Sequence, residues 1–101
     1  MNTPESLRIK VARRLILRNL DFVFPSGLPV GSLYKTVCAI SIDYDSNLFT
    51  KDIAYLEGKG YLLLIDDEIG GMPTFMSKVA KLTVKGKEIA EQTQSDSALE
   101  I

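Results

Sequence analysis

Apolar positions near the start of the chain recur at spacings of three and four: Leu7, Val11, Ala12, Leu15, Ile16 and Leu20. That period predicts an amphipathic helix. Thr3-Pro4-Glu5 supplies its start, because threonine caps, proline suits the first helical position and glutamate complements the positive helix end. Lys10, Arg14 and Arg18 fall four apart on the opposite face, with Arg13 beside them. Phe22, Val23 and Phe24 lead into a turn at Pro25-Ser26-Gly27. Leu28-Pro29-Val30 predicts a very short extended segment, since a residue before proline avoids the helical region. A second helix is expected from Gly31 or Ser32 to Ala39, with Leu33, Val37 and Tyr34 facing the core. Ile40 to Tyr44 form the connection that follows, with Ile40 and Ile42 plugging the core.

A third helix begins at Asp45 or Ser46, either of which can cap it. Phe49, Ile53 and Leu56 form its buried stripe. It ends at Gly58 or Gly60, where glycine takes the left-handed geometry readily. Tyr61 to Ile65 reads as a strand of five consecutive apolar residues. Unbroken apolarity predicts cover on both faces, from the fourth helix or from a second chain. Asp66 to Pro73 is turn material around Gly70-Gly71. Thr74 to Leu82 returns as a strand. Thr83 then caps a fourth helix, in which Gly86 permits close packing, Ile89, Ala90 and Thr93 face inward, and Lys87 and Glu91 pair across one turn. Residues 1–93 read as one domain, and 94–101 as a polar, frayed tail.

The chain has 101 residues, of which 46% are hydrophobic, with no tryptophan. That suits a single domain with an aliphatic core. The net charge of −1 exerts no global pull on nucleic acid, but its distribution is uneven. Met1 to Leu20 carries +4, Asp21 to Lys78 carries −4, and Val79 to Ile101 carries −1. Any phosphate contact therefore draws on the first helix. The lone cysteine, Cys38, excludes an intrachain disulfide and is expected to be a buried thiol. No apolar run reaches the roughly 20 residues of a membrane span. There is no signal-like apolar segment either, so a cytoplasmic location is expected.

Three stretches carry a resemblance. Asp52-Ile53-Ala54-Tyr55-Leu56 with Gly60-Tyr61-Leu62 resembles the end of a recognition helix entering a β-ribbon. Val79-Ala80-Lys81-Leu82-Thr83 with Gly86 and Ile89-Ala90 resembles the LT-x-x-G passage of MarR-, PadR- and ArsR-like regulators. Arg14 to Leu20 is similar to the first helix of small winged-helix proteins of Mu-like prophages. The resemblance spans residues 7 to 92 and implies an α+β winged helix-turn-helix: a three-helix core, an antiparallel β-hairpin wing and a C-terminal helix. The implied function is double-stranded DNA binding, as a small bacterial or phage transcriptional regulator. The alternative is a winged helix serving as a protein–protein interaction module.

On that reading, Ser46, Asn47, Thr50, Lys51 and Ala54 face the major groove. Asparagine can pair with adenine, threonine can meet a thymine methyl and lysine can reach guanine. Lys10, Arg13, Arg14, Arg18 and Lys78 are the candidate backbone contacts, which position a protein without specifying sequence. Gly70, Gly71, Met72 and Thr74 form the wing tip. A homodimer through the hairpin or the C-terminal helix is the expected assembly. With one cysteine and no histidine, ArsR-type metal sensing lacks ligands, and no cofactor or metal site is expected. The absence of histidine also removes the usual general base. No P-loop, dinucleotide fingerprint or nucleophile elbow is present, so no enzymatic activity is expected.

Overall fold

The apolar period of the first segment produces helix α1, Pro4–Val23. It buries Ala12, Ile16, Leu17 and Leu20. The computed structural model describes residues 4–39, 44–66 and 75–91. After α1 come strand β1 (Gly27–Pro29), α2 (Val30–Cys38), α3 (Ser46–Gly58), β2 (Leu62–Ile65), a single 3₁₀ turn (Phe75–Ser77), β3 (Val79–Leu82) and α4 (Val84–Ala90). The result is a small α+β domain, with four helices and a three-stranded antiparallel sheet among the described residues. None of these helices is long and apolar enough to cross a membrane.

The sheet order is β1-β3-β2, so the last strand lies at the centre. Leu28 and Leu64 both register with Ala80, while Leu63 registers with Lys81 and Ile65 with Val79. Val30, Leu33 and Val37 of α2 join Phe49, Ile53 and Leu56 of α3 in the core beneath the sheet. Leu62, Ala80, Leu82 and Ile89 complete it. Fully burying such a side chain is worth about 1.5–3 kcal/mol. Phe49 makes the core partly aromatic, its ring centroid 5.2 Å from that of Tyr34 and 6.4 Å from that of Tyr44.

Helix starts and stops follow local chemistry. Pro29 precedes α2 without a side-chain cap, and the Val30 N–H instead donates to the Lys78 carbonyl at 2.8 Å. Asp45 caps α3, accepting from the Leu48 N–H at 2.9 Å. At the far end Gly60 has φ +78°, a conformation that costs other residues about 1–2 kcal/mol. The Tyr61 N–H then reaches back to the Leu56 carbonyl and the Gly60 N–H to that of Glu57, a Schellman closure. Tyr61 and Leu56, the two residues this closure joins, are both buried in the core.

Thr83 ties this closure to α4. Its hydroxyl donates to the Gly60 carbonyl at 2.6 Å and accepts from the Gly86 N–H at 2.9 Å. Its own N–H donates to the Tyr61 carbonyl. Gly86 lies so close to that carbonyl that an added Cβ would come within 1.9 Å of its oxygen.

Some expectations need correcting. The returning strand does not start at Thr74: it covers Val79–Leu82, after the 3₁₀ turn. Lys78 gives its carbonyl to α2 rather than to a longer ladder. Within the chain, α4 does not cover the second face of the run Tyr61 to Ile65 among the described residues. Leu62 is buried, yet Leu63 is 55% and Ile65 42% exposed, because α4 packs on α1 and β3. Cys38 is half-exposed rather than buried, its Sγ donating to the Tyr44 carbonyl at 3.6 Å. Leu17 is a core residue outside the expected stripe, whereas Val11 and Leu15 are only half-buried and line one groove with Arg14 and Arg18 instead of lying opposite them. Thr3, Ile40, Ile42, Thr93 and the tail 94–101 lie outside the described residues.

Candidate nucleic-acid interface

Helix α3 presents two unlike faces. Phe49, Asp52, Ile53 and Leu56 point inward. Ser46, Asn47, Thr50, Lys51 and Ala54 are all exposed, so the structure brings the five predicted groove-facing residues together on one outer surface. The Thr50 hydroxyl donates to the Ser46 carbonyl at 2.7 Å and keeps acceptor capacity for a ligand.

The inner face also holds a charged residue. Asp52 is only 3% exposed. Its Oδ1 accepts from Arg13 Nε at 2.9 Å and its Oδ2 from the Tyr44 hydroxyl at 2.6 Å. The Arg13 guanidinium also lies 3.9 Å from the centroid of the Tyr55 ring. A carboxylate this buried is tolerated only when paired and hydrogen-bonded. Burial, then the hydrogen bond to Asp52, pushes the Tyr44 phenol far above its ordinary range. One carboxylate therefore fastens α1 and the segment before α3 onto α3 itself.

This clasp changes the surface charge. Asp52 does not offset Lys51 on the surface, because Arg13 neutralises it internally. The outer side of α3 carries Lys51 and Lys59 against Glu57 and the capping Asp45. Lys59 Nζ sits 5.8 Å from the centroid of the Tyr55 ring. Lys85 Nζ sits 5.6 Å from that of Tyr61, just beyond the helix end.

The α1 cations do not form one patch. Arg13 is committed to Asp52 and Tyr55. At about 100° per residue, Arg14 and Arg18 lie roughly 100° and 140° around α1 from Arg13, turned away from α3. Lys10 is half-exposed and already engaged. Lys78 lies 3.6 Å from Asp66. Gly70, Gly71, Met72 and Thr74 fall outside the described residues.

Asp52, Tyr44 and Tyr55 are the site residues that sequence reasoning missed. A signal for the first was present: Phe49, Asp52, Ile53 and Leu56 share one three-four stripe, so an acid at the second place required a buried cation. Comparison with protein-family models, with curated proteins and with solved structures found no significant match for this chain.

Proposed function

We propose that the chain is a winged helix-turn-helix protein that binds double-stranded DNA as a small transcriptional regulator, with the outer face of α3 in the major groove. The carrying observation is the continuous exposure of Ser46, Asn47, Thr50, Lys51 and Ala54 on a helix whose other side is pinned. The element order and the β1-β3-β2 sheet support the same reading. A groove-entering helix must be rigid relative to its scaffold and must present donors without bulk. The Asp45 cap, the core stripe and the Asp52 clasp meet the first need. Serine, asparagine, threonine and alanine meet the second. Backbone contacts in this reading come from Lys51, Lys59 and Lys85 near α3, rather than from Arg13.

Fluorescence anisotropy with labelled mixed-sequence duplex at low salt tests this. Binding is expected, with log K falling linearly as log salt rises. An unchanged signal with duplex at low salt would remove the proposal.

The exposed Leu63 and Ile65 favour a second reading, in which the outer sheet face binds a protein partner and DNA is not bound. That reading requires a salt-tolerant protein complex lost on Leu63→Ser, with no duplex binding.

A further inference from the structure

The side of α1 opposite α3 carries a second apolar seam. Val11, Leu15, Arg18 and Phe22 follow one another at steps of four, three and four, the spacing that keeps side chains on one helix stripe. From Arg13 this stripe stands roughly 140–200° around the helix. Val11, Arg14, Leu15 and Arg18 line a shallow groove there. Phe22, one turn further on, is 90% exposed.

Charge distinguishes this seam from the rest of the helix. Arg13 has Asp52, and Lys87 has Asp21 and Glu91. No described carboxylate lies within ion-pair distance of Arg14 or Arg18. The seam therefore combines the exposed Phe22 and the half-buried Val11 and Leu15, the last also packed against the core, with two guanidinium groups that have no ion-pair partner among the described residues and suit bidentate carboxylates.

We propose that this face of α1 docks an acidic amphipathic helix of a partner protein. Its apolar stripe covers Val11, Leu15 and Phe22, and its flanking carboxylates meet Arg14 and Arg18, as in helix-in-groove recognition. A second copy fits less well, since pairing two such seams gathers four guanidinium groups and no seam carboxylate. Duplex DNA supplies phosphates but no apolar surface for Phe22. The surface is separate from the outer face of α3, so its occupancy does not depend on DNA binding.

The test uses the full chain and two synthetic helical peptides that share one leucine stripe, flanked by glutamates in one and by lysines in the other. Titration calorimetry is expected to show binding of the glutamate peptide alone. NMR amide shifts are expected to concentrate between Val11 and Phe22. The double variant Arg14→Glu/Arg18→Glu is expected to lose at least about tenfold in affinity, the cost of two exposed charge-assisted contacts. Phe22→Ser is expected to lose a similar factor with an unchanged melting temperature, because Phe22 has little packing to lose. No binding of the glutamate peptide, or shifts centred on β2 or α3, overturns the proposal. So does self-association abolished by Phe22→Ser, binding to anionic vesicles in place of the peptide, or duplex DNA shifts confined to the α1 seam.

Discussion

Arg13 and Asp52 meet across the α1–α3 interface, Nε to Oδ1 at 2.9 Å, and this contact makes an acid on the candidate recognition helix an internal part rather than a surface charge. Its partners dictate what removal does. Asp52→Ala strands the Arg13 guanidinium and the Tyr44 hydroxyl, and is expected to cost about 3–5 kcal/mol. Asp52→Asn keeps the shape and some hydrogen bonding, so it should cost less. Urea unfolding of the two variants measures the difference. Equal, near-zero losses would mean that the clasp does not form in solution.

The Tyr44 phenol predicts an alkaline limb. Burial and its bond to Asp52 raise its folded-state pKa, so the neutral phenol belongs to the folded state. That contribution is fully present below the unfolded tyrosine value, about 10, and is lost as pH rises beyond it. Lys87, raised chiefly by its hydrogen bond to Asp21 and next by that to Glu91, acts in the same direction. Stability should therefore fall above pH of about 10. Tyr44→Phe should flatten part of that fall and Lys87→Met another part, as read by melts across the range. A wild-type curve matching that of the Tyr44→Phe variant would exclude the phenol as a source.

Glycine positions give a paired test. A Cβ at Gly86 meets the Tyr61 backbone oxygen at 1.9 Å, and a carbonyl cannot rotate away as a side chain tip can. Gly86→Ala is expected to destabilise by about 3 kcal/mol, through forced separation of α4 from the α3–β2 turn. At Gly58 nothing lies within 4 Å of an added Cβ, and the residue is helical. Gly58→Ala should stabilise by about 0.5–1 kcal/mol. Thermal melts of the two variants should move in opposite directions.

Replacing Thr83 probes the same junction from its polar side. Thr83→Ala removes the α4 cap and the bond to the Gly60 carbonyl, for an expected loss of about 1–2 kcal/mol. Thr83→Ser keeps both bonds and should recover most of that loss. Hydrogen exchange at the Gly86 amide reports the cap directly: it should quicken in the alanine variant alone.

If α3 reads DNA, its two strongest outer residues should separate by kind. Lys51→Ala should weaken all duplexes alike and reduce the salt slope by about one, as for a phosphate contact. Asn47→Ala should cost about 1–3 kcal/mol on the preferred sequence alone, as for a base contact. Anisotropy titrations over several salt concentrations distinguish these outcomes from a helix that merely faces solvent, for which neither variant changes binding.

Much of this was legible along the chain, and for local reasons. The α1 period, the Asp45 and Thr83 caps, and the turn near Gly60 depend on neighbours a few residues away. So does the outer face of α3: once Phe49, Ile53 and Leu56 turn inward, Ser46, Asn47, Thr50, Lys51 and Ala54 turn outward. The β2 run, five apolar residues in a row, marks a strand wanting cover on two faces but does not say which element supplies it: α4 leaves Leu63 and Ile65 exposed within the chain among the described residues.

By itself, the order of residues determined the four helices and where α3 and α4 are capped, because helix period, capping and turn geometry are short-range properties of the backbone; the bounds of β3, set by pairing with β1 and β2, were not legible. The tertiary structure decided which charges remain charges. Arg13 and Asp52 are 39 positions apart, and only the packing of α1 on α3 neutralises them together while leaving Arg14 and Arg18 without an ion-pair partner among the described residues. Electrostatic partners are chosen by distance in space, and a charge count along a chain contains no such distance.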